Sequence, residues 1–334
     1  MMKPRLARSL AATGLALAVL SACATEPPSP DPGKLAFEET IVKVPGFVDF
    51  LTVDGDTVWA TNATSRTEGK VEQWSPEGLV ASVEMNRPCG TMALAEGFIW
   101  AANCPELGLY KIDTKTKQVV TKIDTGIAEP RGETNVVAGA GSVWVPTDAD
   151  GIISRIDPVT NEITARIEVA PGTFFLAFGE GALWAVASEG SLLQRIDPAT
   201  NAVTGSVELG KQPGFLAAGE GAVWVQEQGD GTVAKVDSAS LEVIGRTKVG
   251  ESLLYGDIDA ADGKVWLRTT EDQTFVVIDA QSTEILARVG RPEGSGAIRY
   301  TPAGIWTSAH DVESLNWWTP AMVPTGAGAD AGTR

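Results

Sequence analysis

The chain has 334 residues, with 43 acidic against 26 basic side chains, a formal charge of −17 and a single histidine. Such an excess of negative charge argues against nucleic acid and anionic lipid as partners of a folded body. One histidine excludes paired-histidine acid–base chemistry and histidine-rich metal sites, and no Gly-x-Ser-x-Gly elbow, phosphate-cradling glycine loop or Cys-x-x-Cys pair occurs.

Residues 1–22 read as a signal peptide. Lys3, Arg5 and Arg8 precede an apolar run of 11 residues, Leu10 to Leu20, which is too short to span a bilayer. The segment ends in Leu20-Ser21-Ala22-Cys23, which resembles the bacterial lipobox. That resemblance implies cleavage before Cys23, a lipid on its thiol, and attachment to a membrane through the acyl chains. Ala24 follows, where inner-membrane lipoproteins carry a retaining aspartate. The expected location is therefore exported and membrane-anchored: the periplasm-facing outer membrane of a Gram-negative cell, or the surface of a Gram-positive one. Residues 23–34 include Glu26-Pro27-Pro28-Ser29-Pro30-Asp31-Pro32, a semi-rigid tether. Losing the three basic residues of the leader would take the formal charge from −17 to −20.

Residues 35–320 hold a repeat. Tryptophans stand at Trp59, Trp100, Trp144, Trp184, Trp224, Trp266 and Trp306, in steps of 41, 44, 40, 40, 42 and 40, each preceded by Val, Ile or Leu. A period of about 40–45 with four short strands per unit is the pattern of a propeller blade. The sequence thus predicts an all-β, seven-bladed β-propeller. Phe175 to Trp184 returns as Phe215 to Trp224, two apolar strands joined by a glycine-rich turn. A third strand follows, then a turn such as Asp197-Pro198-Ala199-Thr200-Asn201, then a fourth strand. The turn opens 13 residues after the tryptophan at Asp113, Asp157, Asp197, Asp237, Asp279 and Thr319. After Trp306 only a third strand, Leu315 to Trp318, remains before residues 321–334, a Gly/Ala-rich tail expected to be disordered. The missing strand is at the front: Leu35 to Val44, then Pro45-Gly46, parallels Thr164 to Ala170, then Pro171-Gly172. It should close the last blade and remove the open edges. The tryptophans are expected to pack between blades and not to stack on ligand.

Cys89 and Cys104 lie symmetrically about the hairpin turn of the second blade, at Glu96-Gly97. In an exported protein they should form a disulfide. Three segments break the regular spacing: Asn62 to Lys70, Ala128 to Asn135, and Glu251 to Gly256. All three belong to one face, which marks that face as the binding face. Polar residues at matching register form the candidate site. At the start of the first strand of a blade stand Asp49, Asn135 and Asp257; at the end of the second stand Asn62, Asn103, Asp148, Glu227 and His310. Arg87, Arg131, Glu133, Tyr255 and Arg268 flank them. Such oxygen donors suit Ca²⁺ or Mg²⁺, though they read equally as the solvated rim of a polar mouth. His310, Glu227 and Glu133 are the candidate catalytic groups.

Arg155-Ile156-Asp157-Pro158-Val159-Thr160-Asn161, its copy at Arg195 to Asn201, and the Gly-x-Gly-Ala-Val/Leu-Trp segments at 179–184 and 219–224 resemble the YVTN-type, or YncE-like, propeller repeat. More distantly they resemble streptogramin (virginiamycin B) lyases. The lyase resemblance implies a Mg²⁺-assisted elimination with catalytic histidines and a glutamate; here only His310 is offered, and a second histidine has no counterpart. Calcium-dependent lactonases are also propellers, and Asn62, Asn135, Asp257 and Glu227 imitate their ligand set by composition alone. Two functions are expected from this. One is a lipid-anchored binding or scaffold propeller that holds an envelope protein, a peptide or a small ligand on its irregular face. The other is a divalent-metal-dependent hydrolase or lyase with its site at the channel mouth.

Overall fold

The computed structural model describes residues 35–253 and 256–321. The signal peptide, Cys23, the tether up to residue 34, Tyr255 and residues 322–334 lie outside the described residues.

Seven four-stranded antiparallel sheets follow one another along the chain. Blades 1 to 6 occupy residues 47–86, 88–123, 137–168, 173–208, 213–248 and 258–289, with strands a to d in chain order. Blade 7 takes strands a to c from Ile298–Thr301, Gly304–Ala309 and Ser314–Pro320. Its strand d is Phe37–Lys43, paired antiparallel from Phe37 opposite Pro320 to Lys43 opposite Ser314. The chain is a seven-bladed β-propeller closed by its N-terminal strand, which supplies the outer strand of blade 7 and gives every blade four strands.

The repeated residues have repeated jobs. All seven register tryptophans are buried. The indole N–H of Trp144, Trp184, Trp224 and Trp266 donates to the carbonyl five residues upstream, which fixes each a–b hairpin around its own tryptophan; Trp59 uses the Asp54 carboxylate at the same offset. Eleven residues after the tryptophan, strand c carries a cation that lies over the indole ring, as with Lys111 on Trp100, Arg155 on Trp144 and Lys235 on Trp224. That cation then reaches the c–d turn of the next blade: Lys111 Nζ to Pro158 O at 2.7 Å, Arg155 Nη1 to Pro198 O at 2.6 Å, Arg195 Nη1 to Ser238 O at 3.0 Å, Lys235 Nζ to Ala280 O at 2.6 Å. The turn is ready to receive it because its leading aspartate accepts the N–H groups two and three residues on, as Asp157 does from Val159 and Thr160. Those bonds hold the Asp113, Asp157, Asp237 and Asp279 carboxyls below the usual carboxylate range. The Arg-Ile-Asp-Pro motif is therefore a staple between blades.

Cys89, in strand a of blade 2, and Cys104, just past strand b, form the expected disulfide, with Cα atoms 5.8 Å apart. It closes a short loop at the end of blade 2 that carries the irregular face.

Candidate functional site

The mouth of the channel on that face is built by a repeated irregularity at the start of strand a. In blades 1, 2, 4 and 5 the a–b register slips there: Val48 faces Asn62 but Leu51 faces Ala60, and the same break falls between Thr173 and Phe175 and between Pro213 and Leu216. A bulge of this kind releases residues from the ladder and re-aims their side chains. It sends Asp49, Phe50, Phe174, Phe175 and Phe215 into the channel. The Phe50 and Phe215 rings meet at 6.1 Å, and Phe175 and Phe215 at 4.7 Å. Blades 1 and 5 are not neighbours in the ring, so the first contact crosses the axis. The phenylalanines floor a bowl of about 420 Å³ whose polar lining includes Asp49, Glu129, Glu133, Gln228, Asp257 and His310.

Asp49 is the central group. It is 8% exposed, and its carboxylate accepts no hydrogen bond among the described residues. Burial, then the nearby charges of Glu133 and Asp257, raise its carboxyl well above the ordinary range, against the pull of Arg268. Glu133 reaches solvent in the bowl, yet desolvation by the surrounding protein and the Asp257 charge push it up to about 7. The long loop that carries it is pinned to blade 2, where Thr134 N–H donates to Cys89 O and Thr134 O accepts from Thr91 N–H. Gly90 permits this approach: a Cβ there would sit 1.8 Å from Thr134 O. Asp257 is also buried. Burial raises its carboxyl while an ion pair with Arg299 opposes the rise. His310 stacks on Phe47 with ring centres 3.8 Å apart. Burial lowers its pKa although Asp311 lies against the ring, so the imidazole is neutral at neutral pH.

Beside the bowl, a small cavity of about 150 Å³ is lined by Asp49 and Glu133 together with Arg87 and Arg131. It opens into a groove of about 860 Å³ lined by Arg66, Arg87, Arg131, Phe47, Pro105 and Pro130. Two of the three irregular segments, 62–70 and 128–135, thus meet in one place. The third contributes Gly256 to the bowl, next to Asp257.

Several candidate residues serve the scaffold instead. Glu227 is fully buried one residue short of the mouth, where Gln228 takes the lining position. Burial pushes its carboxyl up, but bonds from Arg246 (2.9 Å), Thr232 Oγ1 (2.6 Å) and Gly210 N–H (2.7 Å) outweigh that and hold it low. Asn62 is buried between Pro45 O and the Glu72 carboxylate. Asp148 is an exposed turn residue that accepts from Asp150 N–H. Arg268 is buried, with its guanidinium on backbone carbonyls. Asn103 accepts Glu106 N–H within its own hairpin. Asn135 lies on the far side of the phenylalanine floor, donating to Leu176 O. Asp49, Glu133, Asp257, Arg131 and His310 do come together, around phenylalanines that polarity does not single out in the sequence. Phe50, Phe175 and Phe215 stand nine residues before their tryptophans, in the same register that singled out Asp49 and Asp257.

Calcium or magnesium has no ready cage. Among the described residues, no three His, Cys, Asp or Glu side chains converge closely enough to hold a metal ion. Asp257 is already paired with Arg299.

No protein-family model and no curated protein matches the chain. Its fold is similar to that of solved propellers. A catalytically inactive variant of virginiamycin B lyase from Staphylococcus aureus, solved with quinupristin, aligns over 86% of this chain and all of its own, at 15% identity and a TM-score of 0.71. A streptogramin B lyase structure aligns over 88% of this chain and all of its own, also at 15% and 0.71. The propeller domain of Cps50 (Swd1) from Myceliophteria thermophila gives 85% and 100% coverage, 14% identity and a TM-score of 0.65. At these identities the likeness is one of fold.

Proposed function

We propose that this chain is an exported, lipid-anchored binding propeller that holds the cationic group of a ligand in the bowl at its channel mouth. The observation that carries this is Asp49: an acidic group almost wholly covered by protein, without a hydrogen-bond partner among the described residues, and facing a cavity. Burial favours the neutral form of such a group, and an arriving counter-charge favours the ionised form. With Glu133 and Asp257 beside it and aromatic rings beneath, the bowl suits an ammonium group on an apolar or aromatic body. Propellers host catalysts and scaffolds alike, and no set of metal ligands among the described residues supports the hydrolase or lyase alternative.

The test is calorimetric titration with phenethylammonium and with its neutral analogue phenethyl alcohol. The ammonium should bind and the alcohol should not, and Asp49→Asn should abolish the difference. Affinity should rise with pH through about 7, as Glu133 gives up its proton. Equal binding of the two compounds would sink the proposal.

The anchor has its own test. In a two-phase detergent extract the unaltered chain should enter the detergent phase, and Cys23→Ala should move it to the aqueous phase. Recovery of the variant with the detergent would remove Cys23 as the attachment point.

A further inference from the structure

The groove beside the bowl has an opposite electrostatic character. Arg66, Arg87 and Arg131 line it together, and none of their guanidinium groups has a hydrogen-bond acceptor or an ion-pair partner among the described residues. Elsewhere most arginines are engaged: Arg155, Arg195 and Arg268 on carbonyls, Arg246, Arg291 and Arg299 on carboxylates. In a chain of formal charge −17, three unpartnered guanidiniums in one depression repel each other and invite an anion. Their planar, forked donors match a carboxylate. Phe47, Pro105 and Pro130 give the groove apolar sides.

We infer that the groove is an anion subsite and that groove and bowl together hold a short peptide, its carboxylate end among Arg66, Arg87 and Arg131 and its amino end toward Asp49. The two subsites are contiguous, since Arg87, Arg131, Asp49 and Glu133 all line the 150 Å³ cavity that joins them. Opposite charges at the two ends of one continuous trough select a ligand carrying both, and fix its direction. The amino-end half of this assignment rests on the function proposed above; the groove stands on its own three residues.

An equimolar pool of tetrapeptides is dialysed to equilibrium against the full-length chain in detergent. The pool is used in three forms: both ends free, N-acetylated and C-amidated. Retained peptide is quantified by mass spectrometry. The free-ended pool should be retained best, and amidation should lower affinity about tenfold, the scale of losing a charge-assisted hydrogen-bond pair. Arg87→Gln with Arg131→Gln should erase the effect of amidation and leave that of acetylation; Asp49→Asn should do the reverse. The arginines are without partners inside the protein, so their replacement leaves the fold intact, which the unchanged acetylation effect verifies. Amidation without effect on the unaltered chain, an amidation effect that survives the arginine double variant, or no retention of any form would each overturn the groove. If only acetylation were silent, the amino-end assignment would fall, and with it the function proposed for the bowl, while the anion groove stood.

Discussion

Asp49→Asn is expected to make the protein more stable at neutral and alkaline pH while destroying its binding site. The Asp49 and Glu133 carboxyls both lie above their ordinary values, chiefly through desolvation. For Glu133, between its ordinary 4.5 and about 7 the folded chain holds more protons than the unfolded one. Stability from such a group is fully present below the unfolded value and is lost as pH rises through the folded one. Above that window the folded protein carries buried charge that repels its neighbours. Removing the charge at Asp49 should return on the order of 2 kcal/mol, a few degrees in Tm, at pH 8. The gain should shrink as pH falls toward the ordinary aspartate range and vanish below about pH 4, where aspartate and asparagine are both neutral. Glu133→Gln should follow the same direction with a smaller amplitude, because its side chain reaches solvent. Thermal unfolding of the three proteins from pH 4 to 8 decides this. A lower Tm for Asp49→Asn at pH 8 would mean that the carboxylate has an internal partner. A rise accompanied by loss of cation binding is the trade expected of a functional group kept against stability.

The fold was legible because each repeated residue has a local reason that sequence displays. The tryptophan closes its own hairpin, the aspartate 13 residues later caps its own turn, and the cation two residues before it staples the next blade. Such contacts sit at fixed offsets, so spacing carries them. The disulfide was legible for the same reason: two positions equidistant from a hairpin turn face each other. The site was legible only in part. Register pointed to the mouth ends of strands a and b, and Asp49, Asp257 and His310 are there. Which neighbouring residue turns into the channel depends on a bulge, and a slip of one position exchanges a lining residue for a buried one. At the end of strand b the exchange comes from the strand's end instead: Glu227 is the last ladder residue, sealed beneath Arg246, and Gln228 opens a 3-10 turn that puts it in the bowl. Choosing residues for polarity brought in Asn62 and Asp148, whose polar atoms serve backbone and neighbouring groups, and left out Phe50, Phe175 and Phe215. Arg66 joined Arg87 and Arg131 only when the long b–c segment of blade 1 folded over blade 2.

Arg268 shows the largest distance between residue type and role, and its replacement should be the most damaging. It ends strand b of blade 6 and is 1% exposed. Its Nη2 donates to Glu293 O at 2.8 Å and Gly294 O at 2.7 Å, its Nη1 to Thr274 O at 2.8 Å and also to Thr269 O, and its Nε to Ser308 O at 3.2 Å. One planar cation therefore joins strand b of blade 6 to strand b of blade 7 and to the loop that brings Ser295 and Gly296 to the bowl. Burial lowers its pKa to about 10, with Glu293, Asp49 and Asp311 opposing the fall, so it stays charged at neutral pH. Arg268→Met keeps the length and apolar stem but leaves the Glu293, Gly294 and Ser308 carbonyls without this donor. Each buried acceptor so orphaned costs about 1–3 kcal/mol, and the expected loss is roughly 4 kcal/mol in urea unfolding. Arg268→Lys retains the charge but, as a single point of donation, cannot span both blades; about half that loss is expected. Hydrogen exchange should localise the damage, with faster exchange at His310, whose N–H donates to Ser295 O, before the outer strands respond. A methionine variant within 1 kcal/mol of the unaltered chain would show that the two blades are held at the mouth by other contacts. The expected result makes the clamp a condition for the bowl: the 293–296 loop that lines it is held there by a side chain that never reaches the ligand.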